Sequence, residues 1–382
     1  MCRFLGALMV LLITTSFIGC SSREEILNSQ PDMSNISSDP SHITDETEKN
    51  SHIDIPALEN PDDGQAGIYE GKVKRFSRQD IDNFITFCGT SIISSKESEG
   101  HDEKFYTGIC ENGSQYSYLT ATNHPYSQFI YRNDAKTEIY WNYPIYTNES
   151  DYLTNSKYMV GCMFTEPKDF GFATAAEAEK NSREALSELG LSDLKLLRTL
   201  YCDHKTLKEA MQVITTEEQF GPLGATIENN GFKVKDDWSE ADDAYLFSFG
   251  IPVKEIPLSN RNEQSNEKAW YTGCSIVVWY TKDGIISLSV DTPWEIGEEV
   301  EAPMPIVPAK TAQEIVEKKY SYNLEYKDIR IDEVRLEYHY VQNRHKWLLK
   351  PVWAVAMSYA NNEIDDRYYI FTNIDALTGK EM

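Results

Sequence analysis

From about residue 72 to its C-terminus this chain is a succession of short aromatic and β-branched segments punctuated by turn residues, and that pattern restricts its fold more than any other feature. The segments 105–110, 117–121 and 136–141 carry the side chains that fit a pleated, half-buried surface. Gly100, Asn112-Gly113, Asn123 and Asn133-Asp134 separate them. The Asn-Gly pair suits the left-handed turn of a tight hairpin. A short helix over 77–87 precedes these strands, since Ile81, Phe84 and Ile85 fall at helical spacing. Residues 72–170 are therefore expected to form a β-rich N-terminal domain.

At Thr174 the texture changes. Glu177 follows Thr174 at capping-box spacing, and Gly190 supplies a left-handed stop, so a helix is expected over 174–189. A strand over 194–201 and a helix over 206–215 come next, the latter with Leu207, Ala210, Met211 and Ile214 on one face. Strands follow over 243–252, 274–281 and 285–290, the last two joined by Lys282-Asp283-Gly284. The pattern restarts after Pro308. Thr311 and Glu314 have capping-box spacing, a helix runs to about Lys319, and strands cover 328–342, 347–359 and 367–374 before a turn at Asp375 to Gly379.

The two stretches rhyme. Each opens with a Thr-Ala helix, continues to a strand with adjacent leucine and arginine (Leu197-Arg198, Arg335-Leu336) and ends on an aspartate (Asp291, Asp375). The fold class expected is α+β: two repeated units, 171–300 and 301–382, each an antiparallel sheet covered by a helix, behind the β-rich region. A three-turn helix cannot bury its stripe alone, and a three-stranded sheet needs such a cover. Trp353 is thus expected to be buried near Ile315 or Val316. Pro351, which lacks an N–H, is expected at an edge or bulge.

The N-terminus carries one basic residue, Arg3, before a continuous apolar run from Phe4 to Ile13. That run suits a signal peptide and is too short for a spanning helix of about 20 residues. Phe17-Ile18-Gly19-Cys20 resembles a lipobox, with Phe17 standing where the pattern usually has Leu. The resemblance implies a signal peptide over 1–19 and a lipid on the Cys20 thiol that anchors the chain in a bilayer at the extracytoplasmic face of the cell membrane. Residues 20–71 are rich in Ser, Asn, Asp, Glu and Pro. Such a stretch buries too little apolar surface to offset its chain entropy, and is expected to be a disordered tether.

Acidic residues outnumber basic ones, 61 Asp and Glu against 36 Lys and Arg, for a formal net charge of -25. This argues against a nucleic-acid partner, which rewards basic patches. With Cys2 cleaved and Cys20 lipidated, Cys88, Cys110, Cys162, Cys202 and Cys274 remain, an odd number without zinc spacing. A Cys88–Cys110 disulfide and buried reduced thiols are the alternatives. The seven histidines form no HExxH or HxH pattern, and no nucleophile elbow, phosphate loop or dinucleotide fingerprint occurs. His339, between two tyrosines, is expected to face solvent. Asp236, Asp237, Glu240, Asp242 and Asp243 lack the spacing of a calcium loop and are expected to be a solvated acidic loop. Tyrosines between Tyr126 and Tyr152 suit either a ligand groove or an ordinary sheet surface, and the sheet is favoured. No catalytic residue, metal or cofactor site is assigned.

The Leu348-Leu349-Lys350-Pro351-Val352-Trp353 strand and the run Asn373-Ile374-Asp375-Ala376-Leu377-Thr378-Gly379 resemble the closing hairpin of PepSY-like modules. The same pair occurs in the YycH and YycI regulatory proteins and in lipoproteins of low-GC Gram-positive bacteria. The resemblance covers 308–382 well, 174–291 weakly and 72–166 not at all. It bears on fold more than on function; the role expected is a non-enzymatic protein that binds a protein or peptide partner at the cell envelope, while the likeness to YycH and YycI implies the first of its rivals. The rivals are a regulator of a membrane sensor kinase or protease, and an envelope hydrolase with an unrecognised site.

Overall fold

The computed structural model describes residues 64–100, 102–121, 125–141, 163–215, 235, 237–261, 263–264, 270–271, 273–321, 327–343, 346–360 and 367–382. In chain order the first elements are β1 (Gln65–Val73), α1 (Arg78–Phe87), β2 (Ile92–Glu99), β3 (Glu103–Cys110), β4 (Gln115–Ala121), β5 (Ser127–Arg132) and α2 (Asp134–Trp141). Next come α3 (Ala175–Glu188), β6 (Lys195–Cys202), α4 (His204–Thr215), β7 (Ala244–Gly250), and the short pairs β8 (Pro252–Val253) with β9 (Ile256–Pro257) and β10 (Glu263–Gln264) with β11 (Trp270–Tyr271). The chain closes with β12 (Ser275–Thr281), β13 (Gly284–Asp291), β14 (Trp294–Pro305), α5 (Ala309–Tyr320), β15 (Lys327–Asn343), β16 (Lys346–Ala360) and β17 (Arg367–Asp375). The fold is α+β, mostly antiparallel sheet with few helices.

The helix starts follow local chemistry. Ser77 accepts from the Asp80 N–H and Asp80 from the Ser77 N–H, a closed capping box at α1. Thr174 and Glu177 do the same for α3, and Gly190 then turns with φ +71. At α4 the cap is Asp203, which accepts from Lys205 and Thr206 N–H groups at 3.1 and 3.4 Å. Two expectations are corrected. Residues 136–141 form part of helix α2 rather than a strand: Asn133 accepts from the Lys136 N–H through its side chain and holds Thr137 through its carbonyl, and this local cap outweighs β propensity. Helix α5 begins at Ala309, two residues before Thr311, because Pro308 stands at its N-cap with φ already near the helical value; no Thr311 capping box forms.

Two large sheets result. The first has eight antiparallel strands in the order β2-β3-β4-β5-β13-β12-β7-β6. Its halves share one plan: a capped helix, then four strands in a meander. The last strands, β5 and β13, pair at the centre, Phe129 opposite Val290 and Tyr131 opposite Leu288. Helices α1 and α3 contact one another, α3 also touches β7 and β12, and the apolar faces of both halves join one core. The expected β-rich domain, 72–170, and the first unit, 171–300, thus share a single sheet.

The second sheet runs β14-β1-β16-β15, with β17 also on β16. Residues 65–71, expected to end the tether, form most of β1. Ala66, Ile68 and Tyr69 are buried there, and the strand is held by β14 and β16 from the far end of the chain. The expected boundary at 300 falls inside β14. Helix α5 packs on β15 and β16. Trp353 is buried in the core that contains Val316, and its Nε1–H donates to the Val307 carbonyl at 2.8 Å. Pro351 lies within a paired strand, yet loses nothing. Its carbonyl accepts from the Ala376 N–H, so its missing donor points into the junction where β1 ends at Leu349 and β17 begins opposite Val352.

Candidate functional site

Cys20, the lipidation site expected from sequence, lies outside the described residues, as do His42, His52, His101, His124, His345, Asp236 and Cys162. Cys88, Cys110, Cys202 and Cys274 are free thiols, so the Cys88–Cys110 disulfide does not form. Burial pushes the Cys88 thiol up to about 12 and the Cys110 thiol to about 11, which makes both poor nucleophiles. Of the acidic cluster, Asp243 accepts from the His204 backbone N–H at 2.7 Å and meets its Nδ1 at 2.8 Å, while Asp242 takes Lys235 and the Ser239 N–H. These two carboxylates are buried rather than solvated and serve local structure, while Asp237 and Glu240 are exposed as expected. Among the described residues no group of three or more His, Cys, Asp and Glu is placed to hold a metal ion. Tyr131 belongs to the core; the side chains of Tyr140, Tyr143, Tyr146 and Tyr152 lie outside the described residues.

The densest polar cluster is one that sequence reasoning missed. His339 is buried rather than solvent-facing. Its Nε2 sits 2.6 Å from Glu337 Oε1, and Arg261, from the excursion between β7 and β12, bonds the same carboxylate. Arg335 reaches the other oxygen at 3.0 Å, and the Arg261 guanidinium lies 4.2 Å from the Phe371 ring centre. Burial alone would raise the Glu337 pKa, but Arg261 and Arg335 together with His339 hold it well below the usual carboxylate range. The side chains of Arg261 and Glu337 are 3% and 2% exposed, so a substrate does not reach them. The cluster is a tie: Ser259 N–H donates to the Tyr338 carbonyl beside it, fastening the β7–β12 excursion to the second sheet.

Two outer strands, β2 and β14, are exposed along nearly their whole length. β2 pairs only with β3 among the described residues, and every residue after Ile92 is exposed, Ile93 at 64%. Between β2 and α1 runs an open groove of about 380 Å³ lined by Arg78, Asp82, Ile85, Thr86 and Ser91 to Ser95. β14, one outer strand of the second sheet, pairs only with β1 among the described residues. Three register shifts break that pairing, and Glu295, Glu298, Glu299 and Glu301 crowd the strand. Bulges and like charges are how sheets blunt an exposed edge. The β2–β3 pairing has one shift, next to Ile93, and its remaining rungs are regular. Of the two, β2 has the more regular ladder.

No protein-family model and no curated protein matches the chain. The fold is similar to the crystal structure of an uncharacterized protein from Eubacterium rectale, with a TM-score of 0.59, 16% sequence identity, and coverage of 87% of this chain and 90% of that one. At that identity the likeness concerns the fold alone.

Proposed function

We propose that this protein is an extracytoplasmic lipoprotein, anchored to the cell membrane through lipid on Cys20, whose folded part binds a protein or peptide partner at the cell envelope without catalysing a reaction. The helix-and-meander arrangements of α3 with β6, β7, β12 and β13, and of α5 with β15 to β17, are taken as its PepSY-like units. The observation that carries the proposal is the regular, exposed edge of β2 beside the α1 groove. An extended peptide added there gains main-chain hydrogen bonds along the strand and places alternate side chains toward the groove. The acidic surface, at net charge -25, disfavours both nucleic acid and direct adhesion to anionic lipid.

Two measurements test it. Incorporation of labelled palmitate is expected in the wild type and lost in Cys20→Ala; equal labelling refutes the anchor. Affinity capture from solubilised membranes is expected to recover a partner with the wild type and to lose it with Ile93→Glu, a change at a solvated position that leaves the fold intact. Capture that survives Ile93→Glu would move the binding surface elsewhere.

A further inference from the structure

Beyond the β2 edge, at the N-terminal end of α1, a second cavity of about 250 Å³ lies between that helix and the sheet face of β3 and β4. Its aromatic wall includes Phe76 and the Tyr106 and Tyr118 rings, which stack 5.9 Å apart. Three cations reach its rim, Arg75, Arg78 and Lys104, with the carboxylates of Asp82, Glu97 and Glu99 close by. Their present partners are modest. Arg75 donates to the Ala121 carbonyl, Arg78 donates to Ser95 Oγ and lies 3.5 Å from Asp82, and Lys104 meets Glu99 at 2.6 Å across an exposed surface. Exposed pairs of this kind exchange at little cost.

Two further lining residues carry the inference. Tyr116 is 3% exposed and Thr120 7%, yet the hydroxyls of both are buried with no hydrogen-bond partner. A buried hydroxyl without a partner is costly, and neighbouring Tyr118 shows the ordinary solution, accepting from the Phe76 N–H at 2.9 Å. The Tyr116 ring is fixed in place. It lies against Gly108, where an added Cβ would come within 2.2 Å of it.

We infer that this cavity is a binding site for a small organic carboxylate with a flat apolar body, either a free acid or the C-terminal residue of a peptide. The apolar body packs on the Tyr106–Tyr118 wall, the carboxylate meets the arginines at the rim, and the two hydroxyls gain a partner. The cavity lies apart from the β2 edge except at Arg78, which borders both sites and donates to Ser95 of β2.

The test is calorimetric titration of the full-length, detergent-solubilised protein with N-acetyl-phenylalanine, its carboxamide, inorganic phosphate, and a tetrapeptide ending in phenylalanine. The acid is expected to bind, with the amide about tenfold weaker or worse because it loses a charge-assisted hydrogen bond, and phosphate about tenfold weaker or worse because it has no apolar body to pack on the ring wall. Arg78→Gln should cost a similar factor. Tyr116→Phe and Thr120→Val should each weaken the acid severalfold while leaving the melting temperature of the ligand-free protein unchanged or higher, which a purely structural hydroxyl would not do. A tetrapeptide that binds tighter than the acid identifies a peptide terminus as the source, and equal affinities a free acid. Equal binding of acid and amide, phosphate binding as tightly as the acid, no heat at millimolar acid, or hydroxyl variants that bind normally would each overturn the assignment. Loss of partner capture in Ile93→Glu with acid binding retained separates this site from the strand edge.

Discussion

The two halves of the eight-stranded sheet share one plan and differ in what lies behind it. In the half built from α3, β6, β7, β12 and β13, the reverse face is covered: Leu246, Val277, Trp279 and Ile286 form a second core with Leu207 and Ala210 of α4 and with Phe164. In the half built from α1 and β2 to β5, reverse-face residues such as Thr107, Ser117, Leu119 and Ile130 stay half-buried, and Ile109 is exposed. The connections differ in the same sense. β3 turns into β4 through Glu111 to Ser114 alone, whereas β7 reaches β12 by an excursion whose Ser259 and Arg261 grip the second sheet. One copy of the plan is covered on both faces; the other leaves its reverse face half-buried and has the more exposed of the two outer strands, with a cavity beside its helix. The same topology thus provides a scaffold and a surface, with insertions deciding which.

Breaking the lock should have the largest effect. Glu337→Ala leaves Arg261 buried without its carboxylate, and chemical denaturation is expected to show a loss of about 3–5 kcal/mol. The sign of the pH dependence follows from the depressed pKa of Glu337. Its contribution is present above the unfolded carboxyl value of about 4.3 and is lost as pH falls below that toward the folded value. Wild-type stability should therefore decline below about pH 4.3, and Glu337→Gln should flatten that decline. A cost below about 1 kcal/mol would mean the excursion is held by its backbone bonds instead.

A matched pair of truncations compares the reverse faces directly. Leu246→Ala, in the covered half, should cost about 3 kcal/mol, while Leu119→Ala, on the open half, should cost about 1. Equal costs would show that the two faces are covered alike. Smallest of all, Ile93→Thr is expected to stay within about 0.5 kcal/mol of the wild type, because the side chain is solvated.

How much of this was legible depended on range. The capping boxes at Ser77 and Thr174 and the strands of the meanders are written in neighbouring residues, and both the turn bonds from Asp375 to Leu377 and Thr378 and the burial of Trp353 follow from local pattern plus alternation. What stayed hidden was set by distant partners. β1 sits at the end of a polar stretch and is a strand only because β14 and β16 flank it. The glutamate-rich β14 is assigned no element from sequence, and it too is a strand through its pairing with β1. Alternation along β15 separates Tyr338 from Glu337 and His339 correctly, but it cannot tell that Arg261, 76 residues earlier, closes the second face as well. The pairing of β5 with β13, which fuses the two halves, has no local signature.

The open edge is tested most directly by in-cell photo-crosslinking from two single positions: Ile93 on β2, 64% exposed, and Val300 on β14, 50% exposed. Both are solvated positions on outer strands, so labelling chemistry and accessibility are comparable. A discrete protein or peptide adduct from position 93 and none from position 300 is the predicted result. An adduct from 300 alone, or from neither, would contradict the assignment of β2 as the edge that receives a partner.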